Sequence, residues 1–133
     1  MSAVNISLVQ SLYAAFGRGD IDKIVGAMAP DAAWEVVGRS KDYSLFGARK
    51  GAAAVRHFFK QVSETQETVS FTPRDFHAAG DTVLMLGHYK WTLRKTGKPV
   101  DSDWAHVFTV KDVKVTSFRE FTDTAQFAQN WRS

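Results

Sequence analysis

Two segments near the end of the chain decide its fold: Trp104-Ala105-His106-Val107-Phe108-Thr109-Val110 and Val115-Thr116-Ser117-Phe118-Arg119-Glu120-Phe121-Thr122-Asp123. Both are rich in aromatic and β-branched residues, which predicts two adjacent antiparallel strands. His106 lies within the first apolar run and Glu120 within the second. An acid–base pair set in an aromatic wall indicates a pocket.

The turn between these strands decides whether the two ionisable side chains share a face, because side chains alternate along a strand. A three-residue loop beginning at Lys111 places His106 opposite Phe118 and makes Glu120 its diagonal neighbour, roughly 7–8 Å away on the same face. A two-residue loop beginning at Lys111 puts Glu120 on the other face, beside Asp103. The sequence leaves both registers open.

The length and composition predict one domain that covers residues 1–133. The chain has 133 residues, of which 44% are hydrophobic, with ten Phe, four Trp and three Tyr. This is the composition of a packed globular protein and excludes a disordered chain. The many large rings either line a ligand cavity or fill the core and a subunit interface.

Several classes of function are disfavoured by the sequence. The formal charge of +3 comes from 17 basic and 14 acidic residues without a block of like charge, so nucleic-acid binding is not expected. The absence of cysteine removes disulfides and thiolate chemistry. No metal is expected, because the four histidines have no familiar ligand spacing, and no cofactor, because phosphate loops and dinucleotide motifs are missing. Without a signal peptide or a membrane-spanning run, we expect a cytoplasmic protein.

The apolar spacing predicts three helices in the first half of the chain. The first covers about 3–16 and ends before Gly17, the second runs from an Asp20 cap to about Met28 and is closed by Pro30, and the third covers 52–63. A strand is expected at 33–37, and the stretch 38–51 is interpreted as a long loop.

The second half of the chain predicts four strands joined by hairpins, between about 67 and 122. Breaks are expected at 80–81, 96–99 and 111–112. Asp123 then caps a short terminal helix. Helices segregated from mostly antiparallel strands indicate an α+β fold, with the helices packed on one face of a single sheet.

In this order of elements, the chain resembles the NTF2-like superfamily, in the branch that contains the ketosteroid isomerases and the SnoaL-like polyketide cyclases. Three segments carry the resemblance, and together they extend over almost the whole chain: Tyr13-Ala14-Ala15-Phe16-Gly17-Arg18-Gly19-Asp20, Met28-Ala29-Pro30-Asp31-Ala32-Ala33-Trp34 and Lys114-Val115-Thr116-Ser117-Phe118-Arg119-Glu120-Phe121-Thr122-Asp123. The resemblance implies a cone, in which a strongly curved sheet and three helices enclose an apolar cavity. It also implies a homodimer through the outer face of the sheet and a small apolar molecule as the ligand.

The resemblance implies that particular side chains point into the cavity. The inward positions on the strands would be Trp34, Val36, Trp104, His106, Phe108, Phe118, Glu120 and Thr122, with Leu12 and Phe59 contributed by helices and Tyr43 and Phe46 by the long loop, which could act as a lid.

The isomerase residues do not carry over to this sequence. Ketosteroid isomerase uses an Asp base with a Tyr and a protonated Asp, whereas the matching positions here are Leu12, Val36 and His106. The acidic base and histidine of the cyclase branch match Glu120 and His106. The Asp-Arg-Asp pattern of epoxide hydrolases is not matched by Asp101-Ser102-Asp103.

Two functions therefore remain. The first is a cofactor-independent acid–base enzyme of the isomerase or cyclase type, with Glu120 and His106 as catalytic residues and an apolar carbonyl compound as substrate. The alternative is a non-catalytic module that binds an apolar ligand or a protein partner. In that alternative, Glu120 is a solvated strand residue and His106 a hydrogen-bonded core histidine.

Overall fold

The computed structural model describes residues 2–132, in which four helices and six strands follow one another. In chain order these are α1 (Ser2–Gly17), α2 (Ile21–Gly26), β1 (Met28–Val36), β2 (Gly47–Lys50), α3 (Ala52–Thr65), β3 (Gln66–Ala79), β4 (Thr82–Leu93), β5 (Pro99–Lys111), β6 (Lys114–Phe121) and α4 (Thr124–Arg132). The predicted α+β class is confirmed, with three helices before the main run of strands and a short helix at the end.

One curved, unclosed sheet forms the body of the fold. Its strands lie in the order β2-β1-β6-β5-β4-β3, and every neighbouring pair is antiparallel except β1 with β6. Irregularities in pairing interrupt β1, β3 and the β5–β6 ladder, and such bulges bend a strand and increase its twist. Helix α1 packs on β3 and β4, and α3 packs on β1, β2 and β3, so the helices cover the concave face.

The alternation of side chains gives the sheet two different faces. In β4 the odd-numbered residues from Val83 to Leu93 are buried, and in β5 the even-numbered residues from Val100 to Val110 are buried. The alternate positions are exposed or half-buried and belong to the convex face. The aromatic residues of the concave face therefore form the wall that the helices close.

Three sequence-based boundaries are wrong, and one of them is the start of β1, which lies at Met28 rather than at residue 33. Helix α2 ends at Gly26 rather than near Met28 because Met28 already pairs with Val115 of β6. The stretch 38–51, interpreted as a loop, contains the edge strand β2, which pairs with β1. The four residues of β2 show no apolar alternation, because none of them is buried on either face of the sheet. The predicted role of Asp123 as a helix cap is supported by its carboxylate, which accepts a hydrogen bond from the Gln126 backbone N–H at 3.1 Å.

The turn between β5 and β6 differs from both expected loops. Lys111 pairs with Lys114, and the two residues between them, Asp112 and Val113, have φ of 51° and 60°. Two consecutive positive φ angles are the pattern of a type I′ hairpin turn, which glycine and asparagine normally occupy.

A bulge then sets the register of the hairpin. Strand β6 carries one extra residue, Thr116, opposite the step from Thr109 to Val110 of β5. This bulge changes the pairing by one residue, and His106 lies directly opposite Glu120 instead of diagonal to it. Both expected registers are wrong, although the two side chains do share the concave face.

Within residues 2–132, none of the helices combines the length and the apolar character that crossing a membrane requires.

The strained turn predicts a stabilising substitution. Val113→Gly is expected to raise the free energy of unfolding by about 1 kcal/mol, because a β-branched residue at positive φ is disfavoured and glycine is not. The side chain of Val113 is exposed, so its removal costs little packing. Thermal unfolding should show an increase in Tm of roughly 3–5 °C.

Val69→Gly is the matched control. Val69 is equally exposed but lies in strand β3 without a positive φ, so the same substitution there should lower the Tm. A Tm that falls in both variants would contradict the assignment of strain to Val113.

Candidate active site

The two side chains predicted as an acid–base pair lie together on the concave face. The Nε2 atom of His106 is 2.7 Å from Oε1 of Glu120. The side chain of His106 is 5% exposed and that of Glu120 is 16% exposed. The imidazole is therefore buried, whereas the carboxylate remains partly accessible.

Helix α1 adds a tyrosine to this pair. The hydroxyl of Tyr13 lies 2.5 Å from Nδ1 of His106, so both ring nitrogens have a hydrogen-bond partner. The helix packs across β3 and β4 and thereby directs Tyr13 towards β5. Sequence reasoning did not connect Tyr13 with His106, because nothing in the spacing of helix residues indicates which strand residue a side chain meets.

Strand β4 adds a second tyrosine on the other side of the carboxylate. The hydroxyl of Tyr89 is 3.2 Å from Oε2 of Glu120 and 2.7 Å from Oγ1 of Thr122. Thr122 in turn donates to Oγ of Ser102 at 3.3 Å. Sequence reasoning did not identify Tyr89 as a site residue. The alternation of β4 was the available signal, because Tyr89 is one of the odd-numbered residues that lie on the same face as the buried, even-numbered residues of β5.

Burial keeps both phenols protonated. Burial, followed by the negative charge of Glu120, raises the pKa of Tyr13 well above its ordinary value of 10.0. The same two causes, in the same order, raise the pKa of Tyr89. Both tyrosines are therefore neutral hydrogen-bond donors at physiological pH.

The two hydrogen bonds that link Tyr13, His106 and Glu120 allow two arrangements of their protons without any movement of the heavier atoms. When the imidazole is neutral and donates Nε2–H to the carboxylate, Nδ1 accepts from the Tyr13 hydroxyl. When the imidazole carries both protons, Nδ1–H donates to the Tyr13 oxygen, and the phenol proton is free to point elsewhere. The direction of the hydrogen bond between Tyr13 and His106 thus depends on which imidazole nitrogens carry a proton.

A glycine and a tryptophan hold the imidazole in place. The Trp104 ring stacks on His106, with centroids 4.0 Å apart and planes 20° apart. Trp104 lies over Gly87 on the paired strand, where an added Cβ would lie 2.3 Å from the indole Cζ2 atom and 2.6 Å from the Thr72 carbonyl oxygen. Only glycine leaves room for the indole there.

The network borders a small apolar cavity of about 90 Å³ between the sheet and the helices. Ten of the twelve predicted site residues line it: Leu12, Trp34, Val36, Tyr43, Phe46, Phe59, His106, Phe108, Phe118 and Glu120. The other two do not line it: Trp104 packs over Gly87 and stacks on the imidazole, and Thr122 bonds to the Tyr89 hydroxyl. Lining residues that the sequence did not identify include Gln66, Phe71, Trp91 and Phe127.

The long loop closes one side of the cavity. Its residues Tyr43, Leu45 and Phe46 are buried. The Tyr43 hydroxyl donates to Oε1 of Gln66 at 2.6 Å, and the Arg49 guanidinium donates to the Leu45 carbonyl at 3.0 Å. Burial raises the pKa of Tyr43 to about 12. Its hydroxyl therefore remains a donor that fastens the loop to β3.

Across the described part of the chain, no group of three His, Asp or Glu side chains converges in a way that could hold a metal ion. Asp101 and Asp103, considered for epoxide hydrolysis, lie on the exposed convex face, where both bond to His88. They are therefore not part of the cavity.

Comparisons with known proteins identify the family. Residues 9–118 match the model of the SnoaL-like domain. An NTF2-like protein from Burkholderia xenovorans shares 32% identity, with 98% of this chain and 97% of that chain covered and a TM-score of 0.88. An NTF2-like protein from Burkholderia pseudomallei shares 26% identity over 100% of both chains, with a TM-score of 0.90. TerC, crystallised with polyporic acid, shares 28% identity, with 98% and 99% covered and a TM-score of 0.86. No curated protein matches the sequence.

The packing of Trp104 over Gly87 predicts that a methyl group added at Gly87 strongly lowers the stability of the fold. Gly87→Ala is expected to lower the free energy of unfolding by about 1–3 kcal/mol, because the added Cβ displaces the indole from a packed core. Urea denaturation measures this loss, and near-ultraviolet circular dichroism reports the disturbed aromatic stack.

Gly26→Ala is the matched control, since a Cβ at Gly26 meets no atom within 4 Å. It should leave the stability within about 0.5 kcal/mol of the natural protein. Equal effects of the two substitutions would contradict the role assigned to Gly87.

Proposed function

Because the chain belongs to the SnoaL-like family and has the NTF2-like fold, we propose that it is a cofactor-independent acid–base enzyme of the isomerase or cyclase type. Its substrate is an apolar carbonyl compound, from which it removes a proton on the carbon beside the carbonyl group. The observation that carries the proposal is the Tyr13–His106–Glu120–Tyr89 network at the wall of an apolar cavity.

Glu120 is the proposed base. Its carboxylate is the more exposed member of the buried pair, and it lines the cavity. The hydrogen bond from His106 holds one carboxylate oxygen in a fixed orientation, and the Tyr89 hydroxyl, shared with Thr122, lies 3.2 Å from the other. A positioned carboxylate beside a bound carbonyl compound is the arrangement that general-base catalysis requires.

Tyr13 and His106 are the proposed stabilisers of the enolate. With both imidazole nitrogens protonated, His106 donates to Glu120 and to the Tyr13 oxygen, which directs the phenol proton towards the substrate oxygen. When Glu120 takes the proton from carbon, the new negative charge lies on that oxygen, next to the phenol and the imidazolium. Donors fixed in an apolar cavity stabilise such a charge more strongly than water does.

The enolate can then follow either of two courses. Return of the proton from Glu120 to another carbon gives an isomerase. Attack of the enolate carbon on a second carbonyl group gives a cyclase, in which the oxygen of that carbonyl takes the proton from Glu120 and becomes a hydroxyl. Both are balanced without an oxidant, a reductant or a metal ion. Because the relative TerC was crystallised with polyporic acid, this compound is an early ligand to test.

Steroid isomerisation with the ketosteroid-isomerase residues is not part of this proposal. Leu12 and Val36, at the matching positions, contribute only apolar surface to the cavity. In the proposed mechanism the proton-transfer groups come from α1, β4, β5 and β6 instead.

The proposal predicts the effect of removing the base. With apolar cyclic ketones of increasing size, from cyclopentanone to 2-tetralone, the protein should accelerate exchange of the proton beside the carbonyl group in D₂O, measured by NMR. Glu120→Gln should reduce the accelerated rate at least about 100-fold, and Tyr13→Phe should reduce it to a smaller extent. The Tm of Glu120→Gln should remain close to that of the natural protein, because the amide oxygen can still accept the hydrogen bond from His106.

Glu35→Gln is the control, because Glu35 pairs with Arg119 on the convex face and should leave exchange unchanged. Full exchange activity in Glu120→Gln would show that the Glu120 carboxylate is not the base. Binding of these ketones without any exchange would favour the alternative function, a module that only binds apolar ligands.

A homodimer through the convex face is the second part of the proposal. Leu86 and Phe121 are 37% and 39% exposed, and Ala105 lies between them in one row across β4, β5 and β6. Leu84 and Val107 form the adjacent row of half-buried apolar residues. Contiguous exposed apolar surface of this kind is typical of protein interfaces.

Leu86→Glu should therefore convert a dimer into a monomer in sedimentation at micromolar concentration, because a carboxylate would be buried unpaired in the interface. Val4→Glu, at an apolar residue that is 49% exposed on α1, should leave the dimer intact. A natural protein that sediments as a monomer would contradict this part of the proposal.

A further inference from the structure

A second, open groove lies beside the cavity. It has a volume of about 630 Å³ and lies between helices α1 and α3 and strands β3 and β4. Seven residues border both spaces: Tyr13, Phe16, Phe59, Val62, Gln66, Phe71 and Trp91. The groove is thus continuous with the wall that carries the Tyr13 hydroxyl.

The two volumes limit what the cavity can hold. A cavity of about 150 Å³ holds one benzene ring, so the 90 Å³ cavity accommodates only one end of a larger molecule. Binding sites for drug-sized ligands have volumes of about 300–1,000 Å³, and the groove lies in this range. A substrate larger than one ring would therefore place its reacting carbonyl group in the cavity and its remainder in the groove.

The walls of the groove are suited to a flat ring. Phe16, Phe59 and Phe71 are only half-buried. The Phe16 ring centroid is 5.1 Å from that of Phe71 and 6.0 Å from that of Phe59. Partly exposed aromatic rings that contact one another offer apolar surface to a ligand ring, which stacks on them or meets them edge to face.

The rim of the groove is positively charged. It contains Arg56, Lys60 and Arg94 but only one acidic residue, Glu67. Arg94 pairs with Glu67 at 3.3 Å, and Arg56 pairs with Asp22 at 2.6 Å. No carboxylate in the described residues forms an ion pair with the Lys60 ammonium, which leaves one uncompensated positive charge at the rim.

We propose that this groove binds the distal part of the substrate, and that this part is aromatic and carries an acidic group that pairs with Lys60. The inference rests on the proposed function for the reacting end of the molecule. It adds the substrate class: an elongated aromatic carbonyl compound with an anionic group away from the reacting carbon.

Two fluorescent probes that differ by a single sulfonate test this proposal. 8-Anilinonaphthalene-1-sulfonate carries the anionic group, and N-phenyl-1-naphthylamine is its neutral analogue. At low salt, the sulfonate probe should bind to the natural protein more tightly than the neutral probe does. Lys60→Gln should weaken its binding about fivefold, the effect of losing one partly exposed ion pair, and should leave the neutral probe unaffected.

Lys111→Gln is the charge-matched control, because Lys111 lies at the far end of β5 and should not change the affinity of either probe. Ser63→Trp fills the groove from α3 and should abolish binding of both probes. Equal affinity of the natural protein for the two probes, equal effects of Lys60→Gln and Lys111→Gln, or unchanged binding to Ser63→Trp would each overturn the proposal.

The readout is equilibrium binding, so it is independent of the exchange reaction. Probe binding as expected without proton exchange would retain the groove as an acidic-ligand site and reject the enzyme. Proton exchange without selective probe binding would retain the enzyme and reject the groove as the site of an acidic group.

Discussion

The hydrogen bond between His106 and Glu120 is the constraint on which the rest of the site depends. Two ionisable groups on the concave face of a sheet would be costly without partners, because a polar group removed from water loses its hydration. Here each group has a second partner, Tyr13 on Nδ1 of the imidazole and Tyr89 beside Oε2 of the carboxylate. The positions of His106 and Glu120 therefore require a tyrosine from α1 beside the imidazole and a tyrosine from β4 beside the carboxylate.

The surrounding packing maintains this geometry. Gly87 leaves space for Trp104, and Trp104 supports the imidazole by stacking. The bulge at Thr116 aligns Glu120 with His106. The bulge is a local departure from regular strand structure, and all three features act on the position of His106 or Glu120. Such departures are common beside functional sites, where a bulge re-aims a side chain.

The cavity and the groove divide the work of recognition in the proposed enzyme. The cavity is apolar, which strengthens hydrogen bonds to a developing negative charge. The groove is open, lined by half-buried aromatic rings and positive at its rim. In the proposed enzyme, the reaction takes place in the cavity and the distal part of the substrate is recognised in the groove, so the substrate can be larger than the cavity.

The sequence alone determined the class of the fold, the order of the main elements and most of the cavity wall, because burial patterns of period two and 3.6 depend only on neighbours along the chain. It also identified His106 and Glu120. The roles of Tyr13 and Tyr89, the position of Trp104 behind the imidazole and the pairing of β2 required the tertiary structure. Contacts between distant segments depend on register and packing, and a one-residue bulge that no local pattern announces changes both.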